Sequence, residues 1–138
     1  MILALDIGTN LGVYVEGNAP QTISLGKGDE RFFNFWKFLK ENRFHYDVIV
    51  YEQAAFQQGN AIPIYHGLIG VLKAFSLYKS IPLQGIPVGT IKKTFTGKGN
   101  ANKKDMMQRC DELGITYDSD NAADAYATYY TYKQLEGK

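Results

Sequence analysis

The sequence predicts an α/β fold on a mixed central β-sheet, a three-stranded antiparallel meander joined to parallel strands, with helices on both faces. Three observations carry this expectation. Short apolar or alternating runs broken by glycine turns fill the first quarter of the chain. Two longer segments then repeat apolar residues at helical spacing. The strand-like runs "YDVIVYE" and "IPLQGIPV" each follow one of those helical segments, as in parallel strands linked by helices. With 138 residues and no repeat, low-complexity tract or linker, a single domain over 1–138 is expected.

The elements follow in order. Leu3, Ala4, Leu5 and Ile7 read as a buried strand that Asp6 interrupts, and Gly8 and Gly12 flank a turn. "LGVYVEG" alternates as a second strand, "GNAP" is a hairpin turn, and "QTISLG" is a third strand. Phe32, Phe35, Trp36 and Leu39 form a helical stripe between Asp29 and Asn42. "YDVIVYE" is a continuous apolar run, the pattern of a central buried strand, and it ends at Glu52. Tyr65, Leu68, Ile69, Leu72 and Phe75 make a second stripe between Asn60 and Lys79. "IPLQGIPV" is a short strand closed by Pro87, and a lysine-rich loop follows. A helix near Asn102–Leu113 turns Met106, Cys110 and Leu113 inward, and the last helix runs from about Asp120 to Gln134. The order begins β-β-β-α-β-α-β-α and closes on that last helix.

Composition narrows the function classes. Hydrophobic content of 45% and charged content of 21% fit an ordinary globular protein. The apolar stretches read as too short to span a bilayer, and the acid at position 6 spoils any signal peptide, so no membrane partner is expected. The lone Cys110 rules out an internal disulfide and fits a small core residue in a reducing, cytoplasmic compartment. A net charge of +1 favours no partner, so the distribution of charge must carry that argument.

An uncompensated carboxylate in a buried strand is costly, so Asp6 needs a reason. Capping a turn is one. Strand–Asp–x–Gly–Thr also resembles two phosphate chemistries: the nucleotide-gripping hairpin of the sugar-kinase and actin superfamily, and the first metal-binding strand of ribonuclease H-like nucleases. The kinase architecture needs two such halves, and no second Asp–x–Gly–Thr hairpin is present. Glu52 ends a strand as Asp6 does. If the two strands are parallel neighbours, both carboxylates emerge at one carboxyl edge. In "DSDNAADAYATYY", Asp120 and Asp124 are four apart and share a helical face, while Ala122, Ala123 and Ala125 let the backbone pack closely. Each acid alone has an ordinary explanation as a solvated charge or helix cap, with Asp118 or Ser119 as the cap. Together they would repel unless cations balanced them. Such hard oxygen donors suit Mg2+ or Mn2+. Two ions about 3.5–4 Å apart can stabilise both the attacking and leaving oxygens of phosphodiester hydrolysis.

The segment "TIKKTFTGKGNANKK" gathers Lys92, Lys93, Lys98, Lys103 and Lys104 around Gly97 and Gly99. A solvated basic face is the plain reading; an electrostatic footprint for phosphates is the functional one. "GKG" lacks the rest of a nucleotide-binding signature, so no nucleotide cofactor is expected. His45 and His66 read as surface or satisfied histidines. The C-terminal tyrosines Tyr126, Tyr129, Tyr130 and Tyr132 run round their helix, so some face solvent or a contact.

On "LALDIGTNLGV", "VIVYEQ", "VGTIKKTFTGKGNANKKDMM" and "DNAADAYA", the chain resembles RuvC-type Holliday junction resolvases of the ribonuclease H-like superfamily over nearly its whole length. Its compactness is similar to that of phage-borne members, which would act in the cytoplasm of a bacterial host. The resemblance implies a Mg2+-dependent homodimer that nicks two opposed strands of a four-way DNA junction. It implies metal ligation by Asp6, Glu52, Asp120 and Asp124, with Asp6 shared by both ions and Gly8 keeping the backbone low beside it. Many members carry an acid or histidine three residues before the last Asp, where this chain has Asn121, so Asn121 is the alternative to Asp120. Lys92 and Lys103 correspond to lysines needed for cleavage; Lys93, Lys98 and Lys104 would grip duplex arms. Phe56, in "FQQGN", would stack on unpaired bases, or is an ordinary core residue. The helix carrying Tyr65, Leu68, Ile69 and Leu72 packs on its mate in the family, so part of that stripe is expected at a dimer interface. Two further readings are a broader flap and fork nuclease serving phage replication or packaging, and a non-catalytic binder of branched DNA. A pure binder needs only the lysines, and here the acids accompany them.

Overall fold

The computed structural model describes residues 1–41, 45–54, 59 and 61–137. Its strands are β1 Ile2–Asp6, β2 Asn10–Val15, β3 Gln21–Ser24, β4 Val48–Gln53 and β5 Leu83–Pro87. The helices are α1 Glu30–Glu41, α2 Ala61–Lys79, α3 Val88–Thr96, α4 Lys103–Glu112 and α5 Asp120–Glu136. The strands form one sheet in the order β3-β2-β1-β4-β5. β1, β2 and β3 pair antiparallel as a meander, while β4 pairs parallel with both β1 and β5. The predicted mixed sheet with helices on both faces is the fold observed.

Strand alternation divides the core into two sides. Leu3, Leu5, Ile49 and Tyr51 point to one face and pack with Phe35 and Leu39 of α1 and the Tyr65–Phe75 stripe of α2. Ile2, Ala4 and Val50 point to the other, against Ala125 of α5. Beside them, Ile86, Ile91, Phe95, Met106 and Cys110 close a smaller cluster between β5, α3, α4 and α5. Cys110 is fully buried, and burial pushes its thiol up to about 11, so it is an inert core residue.

Three expectations need correction. The lysine-rich segment is not all loop: Val88–Thr96 is helical because Ile91 and Phe95, four apart, both bury, and Gly97 ends the helix in the left-handed region at φ 88°. The α2 stripe is not an interface. Tyr65, Leu68, Ile69 and Leu72 lie inside this chain's own core. Finally, α2 at 19 residues is long and apolar enough to cross a membrane by length and composition, contrary to the expectation; its stripe packs instead on the sheet and α1. It is apolar around much of its circumference, and Gly70, Ala74 and Leu77 face outward.

Leu68 is fully buried in that core. Leu68→Ala should therefore lower the unfolding free energy by about 2–5 kcal/mol in urea denaturation, a cost of truncating a packed leucine.

Candidate metal centre and nucleic-acid interface

The parallel pairing of β1 with β4 runs from Ile2–Val48 to Leu5–Tyr51, so Asp6 and Glu52 stand one position beyond, side by side at the carboxyl edge. Alternation turns both toward the α5 side, continuing the line of Ile2, Ala4 and Val50. α5 can come down over them because its sheet-facing residues are small: Ala122, Ala123 and Ala125 are fully buried. One contact fixes its height. A Cβ on Gly12, which pairs with Asp6, would fall 2.0 Å from the Asn121 carbonyl oxygen and 3.0 Å from the Asp6 Cβ. Gly12 is thus a strand residue rather than part of a turn, and it is there, not at Gly8, that a side chain has no room. A Cβ on Gly8 would meet only ordinary contact at 3.9 Å.

The start of α5 is pinned sideways as well. Ser119 Oγ accepts from the amides of Asn121 and Ala122 at 3.1 and 3.3 Å, capping the helix. Asp118 accepts from the Thr22 amide at 3.0 Å and from its hydroxyl at 2.6 Å, tying this corner to β3. Asp120 is therefore a residue of the first helical turn, not the cap. On the opposite side, the Tyr65 hydroxyl of α2 accepts from the Ala54 amide at 3.1 Å and donates to the Glu52 carbonyl at 3.0 Å. That phenol holds the end of β4 where Glu52 emerges.

The acids feel one another. Burial, reinforced by the charges of Glu52, Asp124 and Asp120, lifts the Asp6 carboxyl well above the usual carboxylate range. Its hydrogen bond to Glu52 raises Asp6 and lowers Glu52. Burial also raises Glu52, against the opposing charge of Lys92. Asp124 is pushed up to about 7 by burial and by Glu52 and Asp120, with Lys92 and Lys103 opposing. Lys103 Nζ lies 3.1 Å from Asp120 Oδ2, and that bond raises the lysine's proton affinity.

The structure thus brings together Asp6, Glu52, Asp120, Asp124, Lys92 and Lys103. Half-buried Lys92 on α3 leans on the acids, whereas Lys93, Lys98 and Lys104 are exposed on the outer surface of the same region. Asn121 contributes its backbone to the Gly12 contact. His45 and His66 are exposed. Phe56 lies outside the described residues. Among the described residues no group of three or more His, Cys, Asp or Glu side chains is drawn close enough to hold an ion as it stands. The donor set nevertheless fits a hard divalent cation: all its ligands are carboxylate oxygens, Asp6 and Glu52 are hydrogen-bonded to each other, and Asp120 turns to an ammonium. A cation would supply the counter-charge that such a cluster needs.

Two positioning residues were missed in the sequence. Gly12 reads there as punctuation beside a turn, although its place opposite Asp6 is implicit in the hairpin register. Tyr65 reads as one more core residue; the signal was the single polar tip in a stripe otherwise made of Leu, Ile and Phe.

The fold is ribonuclease H-like, in its RuvC form. The chain is similar to the RuvC of Thermus thermophilus in complex with a Holliday junction substrate, with a TM-score of 0.77 and 18% identity, over 98% of this chain and 95% of that one. A second Thermus thermophilus RuvC structure gives a TM-score of 0.73 and 19% identity, covering 98% of this chain and 96% of its own. No protein-family model and no curated protein matches the chain.

The raised carboxyls carry a stability consequence. A carboxyl whose folded pKa exceeds its unfolded value stabilises the fold below the unfolded pKa and loses that contribution as pH rises through the folded one. For Asp124 the window runs from about 4 to about 7. The protein in chelator should lose on the order of 2 kcal/mol between pH 5 and pH 8. Asp124→Asn should flatten that slope and melt higher than wild type at pH 8, as read by thermal denaturation across pH.

Proposed function

We propose that this chain is a divalent-metal-dependent endodeoxyribonuclease that resolves four-way DNA junctions by paired, symmetric nicks. The observation that carries the reading is the convergence of Asp6, Glu52, Asp120 and Asp124 at one sheet edge, with Lys92 and Lys103 leaning on them. The likeness in fold to a RuvC seen with a Holliday junction supports the substrate class. The four carboxylates would hold Mg2+ or Mn2+. Bound there, two such ions supply charge for the attacking and leaving oxygens of the phosphodiester. Lys92 and Lys103 would meet the scissile phosphate, and Lys93, Lys98 and Lys104 the neighbouring backbone. Asp120 is favoured over Asn121 as fourth ligand because its charge acts on both Asp6 and Asp124, and a carboxylate balances a dication better than an amide. Length gives no reason to prefer a phage-borne to a bacterial member, since the chain spans 95% of the Thermus one.

The test is nicking of a synthetic four-way junction with Mg2+, beside matched fork and flap substrates. Wild type should cut the junction at two opposed strands; equal cutting of all three would favour the broader branched-DNA nuclease. Asp6→Asn should abolish nicking yet keep junction binding in a gel-shift assay. Asp120→Asn should depress cleavage far more than Asn121→Ala, and the reverse ranking would make Asn121 the ligand.

Paired cutting calls for two sites related by a two-fold axis. A dimer through α2 would use the face bearing Gly70, Ala74 and Leu77, because the opposite stripe is committed to the core. Those three positions are apolar and exposed, with Lys73 beside them at the edge of the face. Sedimentation at micromolar concentration should show a dimer, and Ala74→Arg should shift it to monomer without unfolding it.

A further inference from the structure

Lys103 sits where a lysine is poorly placed for helix stability. Asn102 caps α4 by accepting from the Asp105 amide at 2.8 Å, and Asp105 answers by accepting from the Asn102 amide at 3.1 Å. This reciprocal cap fixes Lys103 as the first residue of the helix. A cation there opposes the positive end of the helix dipole. What offsets it is Asp120, the first residue of α5, at 3.1 Å. The two partners differ in setting: the lysine side chain is 79% exposed and the aspartate 31%. The acid belongs to the inner cluster, and the ammonium reaches it from solvent.

An ion pair with so exposed a lysine is weak and readily exchanged. Lys92 is different, because it is half-buried and bears on Glu52 and Asp124. Lys103 is thus the charge at this edge that can leave, and two newcomers bear on it. A divalent cation entering at Asp120 must displace or share the oxygen that Lys103 holds. A DNA phosphate arriving over the start of α4 offers the ammonium another partner.

We propose that Lys103 is a resident counter-ion that competes with the divalent metal for Asp120 until a DNA phosphate draws it away. Metal and DNA then bind cooperatively through this one side chain. By linkage, whatever factor DNA adds to metal affinity, metal adds to DNA affinity. The proposal rests on the metal-nuclease reading and adds to it an order of events: the free protein holds its metal weakly, and the loaded centre assembles on DNA.

The test is Mn2+ titration by calorimetry on the whole protein, without DNA and then with a saturating plain duplex, which supplies phosphates but no branch to cut. Without DNA, Lys103→Gln should bind Mn2+ about three-fold more tightly than wild type. Lys133→Gln, the same loss of charge at an exposed lysine near the far end of α5, should match wild type. Lys103→Arg keeps a cation in place and should also stay near wild type, which separates competition from any disturbance of the fold. Duplex should close the gap between wild type and Lys103→Gln. Equal Mn2+ affinity in the free wild type and Lys103→Gln would overturn the proposal, as would weaker binding in the variant, which would make Lys103 a support for the site. Failure of every form, wild type included, to take up Mn2+ would remove the metal reading itself and the proposal with it.

Discussion

Carboxylates held beneath a helix, close enough to repel, set the terms for this molecule. The hydrophobic effect brings β1, β4 and α5 together, but at their common edge the same packing buries charge of one sign. The chain relieves this in the ways open to it: Asp6 and Glu52 hydrogen-bond to each other, and Asp120 turns to an ammonium. None of these contacts would be selected for stability alone, since apolar residues at the same positions would pack without penalty.

Holding it requires stiffness from several directions. Alanines and Gly12 set how low α5 lies, the Ser119 cap and the Asp118–Thr22 bonds set where it begins, and Tyr65 steadies the strand that carries Glu52. The basic side is built on a different principle. Its lysines come from α3, α4 and the turn between them, on elements anchored by Ile91, Phe95, Met106 and Cys110. Their density is local, which is how a chain of net charge +1 can present a concentrated positive surface beside an acidic one.

Much of this was legible in the sequence because it depends on periodicity. The strand ends at Asp6 and Glu52, the four-residue spacing of Asp120 and Asp124 and the apolar stripes of α1 and α2 are local patterns, and local patterns survive into three dimensions. Three other features were hidden for physical reasons. The helix at Val88–Thr96 was masked by its own polar residues, since a short helix needs only Ile91 and Phe95 to anchor it. Which side of α2 would be core depended on how much apolar surface the sheet and α1 could absorb. The crowding at Gly12 arises between residues more than a hundred positions apart, and nothing in either neighbourhood announces it.

The bonds from Thr22 to Asp118 reach further than the helix they anchor. β3 is an outermost strand, and the open side of such a strand is a template on which another polypeptide can pair. The Thr22 amide, a donor on that strand, is engaged by a carboxylate. An incoming strand would have to break this contact and strip water from a charged side chain. The corner that orients α5 therefore also guards the margin of the sheet against runaway stacking of copies.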